Sequence, residues 1–265
     1  MRITTLMDNV AYKRGLRSEH GFSALIDTGD ARVLFDTGQT GAFLANAECL
    51  REDLSSVDVV VLSHGHYDHT GGLESFCRIN TRARIYGKPS CRSKKYVGDA
   101  YIGMPGDVGK LRERFVDVET TEEIVPGVYV VPEIPIRNEW DTHFKKFLVR
   151  GTDGVEPDTF EDELFLTLAL TDGQAVISGC SHRGITNIVL AAREAFRSRV
   201  LLVLGGFHVK DETAAAVHRM MDEVDRLEVV RLGVCHCTGV DGYASIKARR
   251  PDSAFYNHAG NIVDL

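Results

Sequence analysis

The stretch Leu62–Gly72, LSHGHYDHTGG, sets three histidines and an aspartate (His64, His66, Asp68, His69) within six residues, directly after the apolar run Val57–Val61. Imidazole and carboxylate groups together suit Zn, Fe, Mn or Ni. Two residues apart in extended backbone, His64 and His66 can point the same way. Asp68 and His69 follow in a turn and can face a second position nearby. Gly71 and Gly72 leave room for close backbone approach before the next helix begins. The bland alternative is a polar loop of solvated histidines. Four ionisable groups crowded behind a buried strand argue for a metal cradle instead.

Further candidates close other strand-like runs. SGCSHRG offers Cys180 and His182, GGFHV offers His208, and VCHCTG offers His236 between Cys235 and Cys237. FDTG places Asp36 in a turn, where capping the next helix is as easy to imagine as a role at a site. His20, His143, His218 and His258 lack such a setting, and His218 falls within the helical pattern AAAVHRMMDEV, which suggests a structural role.

The elements that must position these groups repeat a simple theme. Strand-like runs ending in glycine and an ionisable residue, such as Val33–Phe35 before Asp36–Gly38, are each followed by a helical pattern. Short β-rich runs alternating with longer helical periodicity predict an α/β architecture. Nearly uniform apolar runs are expected of strands covered on both faces. In open α/β sheets ligands collect beyond the carboxyl ends of strands, where the candidate chemistry sits each time. The segment from about 88 to 162 differs. It is proline-bearing (Pro89, Pro105, Pro126, Pro132, Pro135), basic at KPSCRSKK and glycine-rich at VGDAYIGMPGDVG. It reads as a loop-rich insertion with strands around Val116–Val118 and Gly127–Val131. Lys88, Arg92, Lys94 and Lys95 in it could meet a phosphate or form a solvated basic face.

The bulk properties narrow the classes. Of 265 residues, 43% are hydrophobic and 26% charged, enough apolar material for a real core, and the formal net charge is −7. That balance argues against a general nucleic-acid binder, which needs a basic face. No apolar run approaches the ~20 residues of a membrane span, and the start MRITTLMDNV reads as a strand, not a signal peptide. Six scattered cysteines do not look like a disulfide framework. The expectation is a reduced, cytoplasmic protein acting on a small molecule, with no nucleic-acid or membrane partner.

The motif, with FDTG upstream, resembles the metallo-β-lactamase fold superfamily over nearly the whole chain. The resemblance implies a single domain over 1–265: an αββα sandwich of two mixed sheets with helices outside. It implies two divalent metal ions, zinc first and iron or manganese as alternatives, one on His64 and His66, the other on Asp68 and His69. Asp36 then matches a residue that orients ligands. His182 and His236 fit the downstream ligands, and Cys180 falls in a bridging-carboxylate slot. A middle histidine is expected near Asp162–Glu163, where this sequence departs from the pattern. The trio GCSH, GGFH and HCTG is similar to a branch whose members are described as resembling 7,8-dihydropterin-6-yl-methyl-4-(ribofuranosyl)aminobenzene 5′-phosphate synthase. The implied activity is metal-dependent hydrolysis, with a bound hydroxide attacking a small anionic phosphoester, lactone or thioester. Asp68 would also handle the proton of the attacking water, and His208 would act as general acid or substrate contact. Iron-dependent redox chemistry and nuclease activity are the alternatives on the same fold.

Overall fold

Val59–Val61 shows how these elements arise. Every residue of this strand is buried, so its three β-branched side chains pack on both faces, as its unbroken apolar run predicts. The computed structural model describes residues 1–106, 108–151 and 154–265. Asp107, Thr152 and Asp153, part of the predicted insertion, lie outside the described residues. The chain divides into two compact units. The first comprises Met1–Glu119, Phe144–Leu164 and His258–Leu265, the second Thr120–His143 and Phe165–Asn257.

The first unit holds a seven-stranded sheet in the order Ile262–Asp264, Arg2–Met7, Ser23–Asp27, Arg32–Phe35, Val59–Val61, Arg84–Gly87, Phe115–Asp117. Pairing is antiparallel as far as Arg32–Phe35 and parallel beyond it. Parallel neighbours need crossovers, supplied in part by the helices Ala42–Leu50 and Leu73–Ile79. Phe43 and Phe76 from these helices join Leu25, Leu34, Val60 and Leu62 in one buried cluster. The histidine motif lies on the crossover that leaves Val59–Val61, at that strand's carboxyl end.

The segment read as loop-rich is more ordered than expected. It contributes Lys95–Val97, Ala100–Tyr101, Phe147–Gly151 and Gly154–Pro157, which form a four-stranded antiparallel sheet, besides Glu122–Val125. These strands are short and largely polar or exposed, so they leave no apolar periodicity in the sequence. The strand expected around Val116–Val118 is Phe115–Asp117, and the one at Gly127–Val131 is Val128–Val131.

The second unit holds another seven-stranded mixed sheet in the order Ala254–Tyr256, Arg231–Cys235, Val200–Gly206, Gly173–Ile177, Phe165–Leu170, Val128–Val131, Glu122–Val125. The first four strands of that order run parallel to one another. Helices Ile185–Phe196, Ala214–Arg226 and Gly239–Arg249 accompany them. In Ala214–Arg226, Val217, Met220, Met221 and Val224 recur at i, i+3, i+4 and i+7 and are buried, the spacing of a core-facing stripe. Thr213 caps this helix by accepting the Ala216 N–H, which satisfies one of the donors left over in its first turn. The fold class is therefore α/β with mixed sheets and helices. Among the described residues, no helix is long and apolar enough to cross a membrane.

Candidate metal centre

The first unit's cluster is organised by Asp36. It follows the strand Arg32–Phe35 with φ 58°, a left-handed conformation that aspartate tolerates better than most residues. Its Oδ1 accepts the Ser63 N–H at 2.8 Å, and its Oδ2 accepts the Ser63 hydroxyl at 2.7 Å and the His69 Nδ1–H at 2.7 Å. Having given its proton to Asp36, the Ser63 oxygen accepts from His64 Nδ1 at 2.9 Å. One carboxylate thus sets two imidazoles in the same tautomer, with the lone pair on Nε2, as partners behind a metal ligand do. The helix-capping alternative for Asp36 is not what the structure shows. Helix Ala42–Leu50 begins at Gly41 with no side-chain cap.

His64, His66, Asp68 and His69 are all buried, and ring nitrogens of His64 and His66 lie within 4.8 Å of each other. Burial pushes the His64 imidazolium well below the ordinary range. Burial likewise drives His66 down to about 3, against the opposing pull of Asp68. Both rings are therefore neutral near pH 7, the form that donates to a cation. Phe147 and Phe160 flank the His66 ring, each with its centroid within 5.3 Å, and they supply the apolar wall that desolvates it.

The loop between the two histidines is braced from a distant segment. Asp162 Oδ2 accepts the Gly65 N–H at 2.7 Å, and Oδ1 accepts from Lys95 Nζ at 2.8 Å. Lys95 also donates to Asp158, and the Leu164 N–H reaches the Ser63 carbonyl at 2.9 Å. Burial opposes the Lys95 charge, yet Asp162 and Asp158 outweigh it and hold the ammonium above its usual range. This corrects two expectations. Lys95 is not part of a solvated basic face, because it is buried between two aspartates, and Arg92 is engaged with Asp117 at 2.7 Å. Asp162, expected near a missing ligand, instead holds the motif loop with one oxygen and Lys95 with the other.

His20 is a site neighbour that the sequence did not reveal. Its Nε2 lies 3.1 Å from Asp68 Oδ2, while Nδ1 meets the Asn9 amide nitrogen at 3.2 Å. An amide N–H donating to Nδ1 leaves the proton on Nε2, so His20 donates to Asp68. The one sequence signal is the adjacent Gly21: a Cβ there would lie 2.6 Å from the Asp68 carbonyl oxygen.

The second unit gathers Cys180, His182, His208, His236 and Cys237 beyond the carboxyl ends of the parallel strands Gly173–Ile177, Val200–Gly206 and Arg231–Cys235. Ser181, His208 and His236 adopt positive φ of 59°, 50° and 52°, a cost tolerated where surrounding bonds over-determine the backbone. Those bonds are present. Ser181 Oγ donates to the Gly206 carbonyl at 2.7 Å, Gly206 N–H to Gly179 O at 2.9 Å, and Phe207 N–H to Thr238 Oγ1 at 3.0 Å. His182 Nδ1 lies 3.4 Å from the His143 carbonyl, and the His143 N–H returns to the His182 carbonyl at 2.8 Å. The His208 ring centroid is 4.2 Å from that of His182 and 5.3 Å from that of His143, so His143 too belongs to this group although no motif marks it. Cys180 and His236 offer donor atoms within 4.8 Å of each other. His218 instead lies exposed on the helix Ala214–Arg226, and His258 stands edge-on to Tyr12.

Comparison with known proteins agrees with this donor chemistry. The family model for the metallo-beta-lactamase superfamily matches residues 17–185. An uncharacterised protein of Methanocaldococcus jannaschii, MJ0448, is 31% identical over 99% of this chain and 100% of its own length. The same organism's 7,8-dihydropterin-6-methyl-4-(beta-D-ribofuranosyl)-aminobenzene-5′-phosphate synthase is 28% identical, over 99% of this chain and 96% of its own. Among solved structures, Tm1679, described as a metal-dependent hydrolase of the beta-lactamase superfamily, superimposes with a TM-score of 0.89 at 32% identity, covering 100% of this chain and 99% of that one.

Proposed function

This chain belongs to the metallo-beta-lactamase superfamily, and from that premise we propose that it is a dinuclear metal-dependent hydrolase of a small anionic substrate: a phosphoester, lactone or thioester. The observation that carries the reading is the Asp36 hub, which fixes His69 directly and His64 through Ser63 while burial keeps the imidazoles neutral. That donor chemistry fits zinc, with iron and manganese as alternatives. His64, His66, Asp68 and His69 are the proposed ligands in the first unit, and His182 and His236 those in the second. When bound, divalent ions supply Lewis-acid polarisation and acidify water.

The chain's own residues do the rest. His20 holds Asp68 Oδ2 by hydrogen bond, which fixes the carboxylate proposed to steer and receive the proton of the attacking water. His208 is proposed to contact the substrate by a hydrogen bond from its ring N–H. The test is elemental analysis of protein purified without added metal, joined to a phosphoester, lactone and thioester panel. The expected result is at least two divalent equivalents, with turnover lost in His66→Ala. Metal-free protein, or stoichiometric iron with oxygen consumption, would overturn it.

A second reading is favoured by the near full-length match to the methanogen synthase. On it, the same centre serves a synthase whose product carries a dihydropterin and a 5′-phosphate. Formation of such a product with no hydrolysis on the panel would select it.

A further inference from the structure

We infer that the second unit carries a soft-metal site of its own, formed by the Cys180 and Cys237 thiolates and the His208 imidazole. The three donor atoms all lie within 4.8 Å of one another. A tetrahedral zinc ion, with bonds of ~2.3 Å to sulfur and ~2.0 Å to nitrogen, needs donors roughly 3.3–3.8 Å apart, so small side-chain adjustments close the site. Each donor stands at the carboxyl end of a different strand in the parallel part of one mixed sheet. Cys180 follows Gly173–Ile177, His208 follows Val200–Gly206, and Cys237 follows Arg231–Cys235.

Two further features point to a built site. Gly206 is cut away to admit the Cys237 thiol, since a Cβ at that position would lie 2.5 Å from Cys237 Sγ and 2.8 Å from the Gly179 oxygen. The Cys237 thiol in turn reaches the Cys180 carbonyl at 3.5 Å, which places both cysteines in one small volume. The turns carrying His208 and Cys237 are also cross-braced. The Phe207 N–H donates to Thr238 Oγ1 at 3.0 Å and the Lys210 N–H to the Cys237 carbonyl at 3.3 Å. His208, at φ 50°, is thereby held in a conformation that histidine seldom adopts. Both cysteines are buried while His208 is partly exposed.

Two thiolates and an imidazole select zinc, cadmium or cobalt(II) over the hard cations. Binding a divalent ion converts both thiols to thiolates and releases their two protons to solvent. Because Cys180 also lies within 4.8 Å of a His236 ring nitrogen, Cys237 is the residue that separates this site from the hydrolase centre proposed above.

The test is a cobalt(II) titration of the metal-free full chain, followed by thiolate-to-metal charge-transfer absorption and proton release. Wild type should show the band of two thiolates. Cys237→Ser should lower it to about half, and His66→Ala should leave it intact even if the hydrolase centre no longer loads. Should Cys237→Ser fail to fold, alkylation of the wild type serves instead, with cadmium expected to protect Cys180 and Cys237 together. Absence of a charge-transfer band, a band unchanged in Cys237→Ser, independent alkylation of the two thiols in the presence of cadmium, or a Cys180–Cys237 disulfide in protein as purified would overturn the site.

Discussion

Asp162 accepts the Gly65 N–H at 2.7 Å across 97 residues of chain, so the backbone between His64 and His66 is anchored on a buried ion cluster. Lys95 and Asp158 complete that cluster. Removing one member of a buried ion group leaves charge uncompensated and costs ~3–5 kcal/mol. With Asp158 still facing Lys95, Asp162→Asn should cost about 3 kcal/mol, read as a lower urea midpoint of the metal-free protein. It should also weaken zinc binding by about tenfold or more, since the histidine loop loses its anchor. A midpoint and affinity equal to wild type would show that the loop needs no brace.

Asp36 holds three donors with two oxygens: the Ser63 N–H and hydroxyl and the His69 ring. An asparagine in its place could keep the left-handed backbone, which that residue adopts readily, but its NH2 would oppose one of those donors. Asp36→Asn should therefore fold while zinc affinity falls ~10–100-fold, measured by calorimetry beside a circular-dichroism control. An unchanged affinity would remove Asp36 from the positioning role.

Gly65 has no room for a side chain. A Cβ there would lie 2.0 Å from the Cys91 carbonyl oxygen, and backbone cannot rotate away as a side-chain tip can. Gly65→Ala should cost more than about 3 kcal/mol. At Gly29, φ is 91° with nothing within 4 Å of a Cβ, so Gly29→Ala bears only the conformational penalty, about 1 kcal/mol. Equal melting temperatures for the two variants would refute the steric account.

The sequence exposed what is local. A buried strand followed by H-x-H-x-D-H is legible because six residues suffice to see it, and the strand-end positions of His182, His208 and His236 follow from the same alternation. What stayed hidden depends on distant segments meeting. Lys95 sits in a basic run, KPSCRSKK, and nothing local says which of its lysines turns inward. Only Asp158 and Asp162, far along the chain, determine that. Asp162 was legible as belonging near the motif but not as its brace, because a carboxylate that ligates and one that accepts a backbone N–H look alike in sequence. His20 and His143 carry no motif since each is placed by tertiary contact alone. The four-stranded sheet escaped notice because its short, partly exposed strands lack the apolar periodicity that marks the two larger sheets.

The second unit contains a carboxyl group that burial holds out of its ordinary range. Asp141 is raised from 3.8 to about 6 by burial, despite hydrogen bonds from Thr186 that pull the other way. The native state therefore binds this proton more tightly than the unfolded chain does. The associated stability is fully present below about pH 4 and is lost as pH rises through about 6. A displacement of that size is equivalent to about 3 kcal/mol. Both Thr186 donors, N–H at 2.8 Å and hydroxyl at 2.7 Å, fall on the same oxygen, Oδ2, so an asparagine carbonyl can accept both. Asp141→Asn should consequently match wild type near pH 4 and exceed it in urea stability by up to about 3 kcal/mol at pH 7. Unfolding midpoints for the two proteins between pH 4 and 7.5 check this. Parallel profiles would mean that Asp141 titrates in the native state as it does in the unfolded chain, with its carboxylate charge solvated or compensated by Arg219.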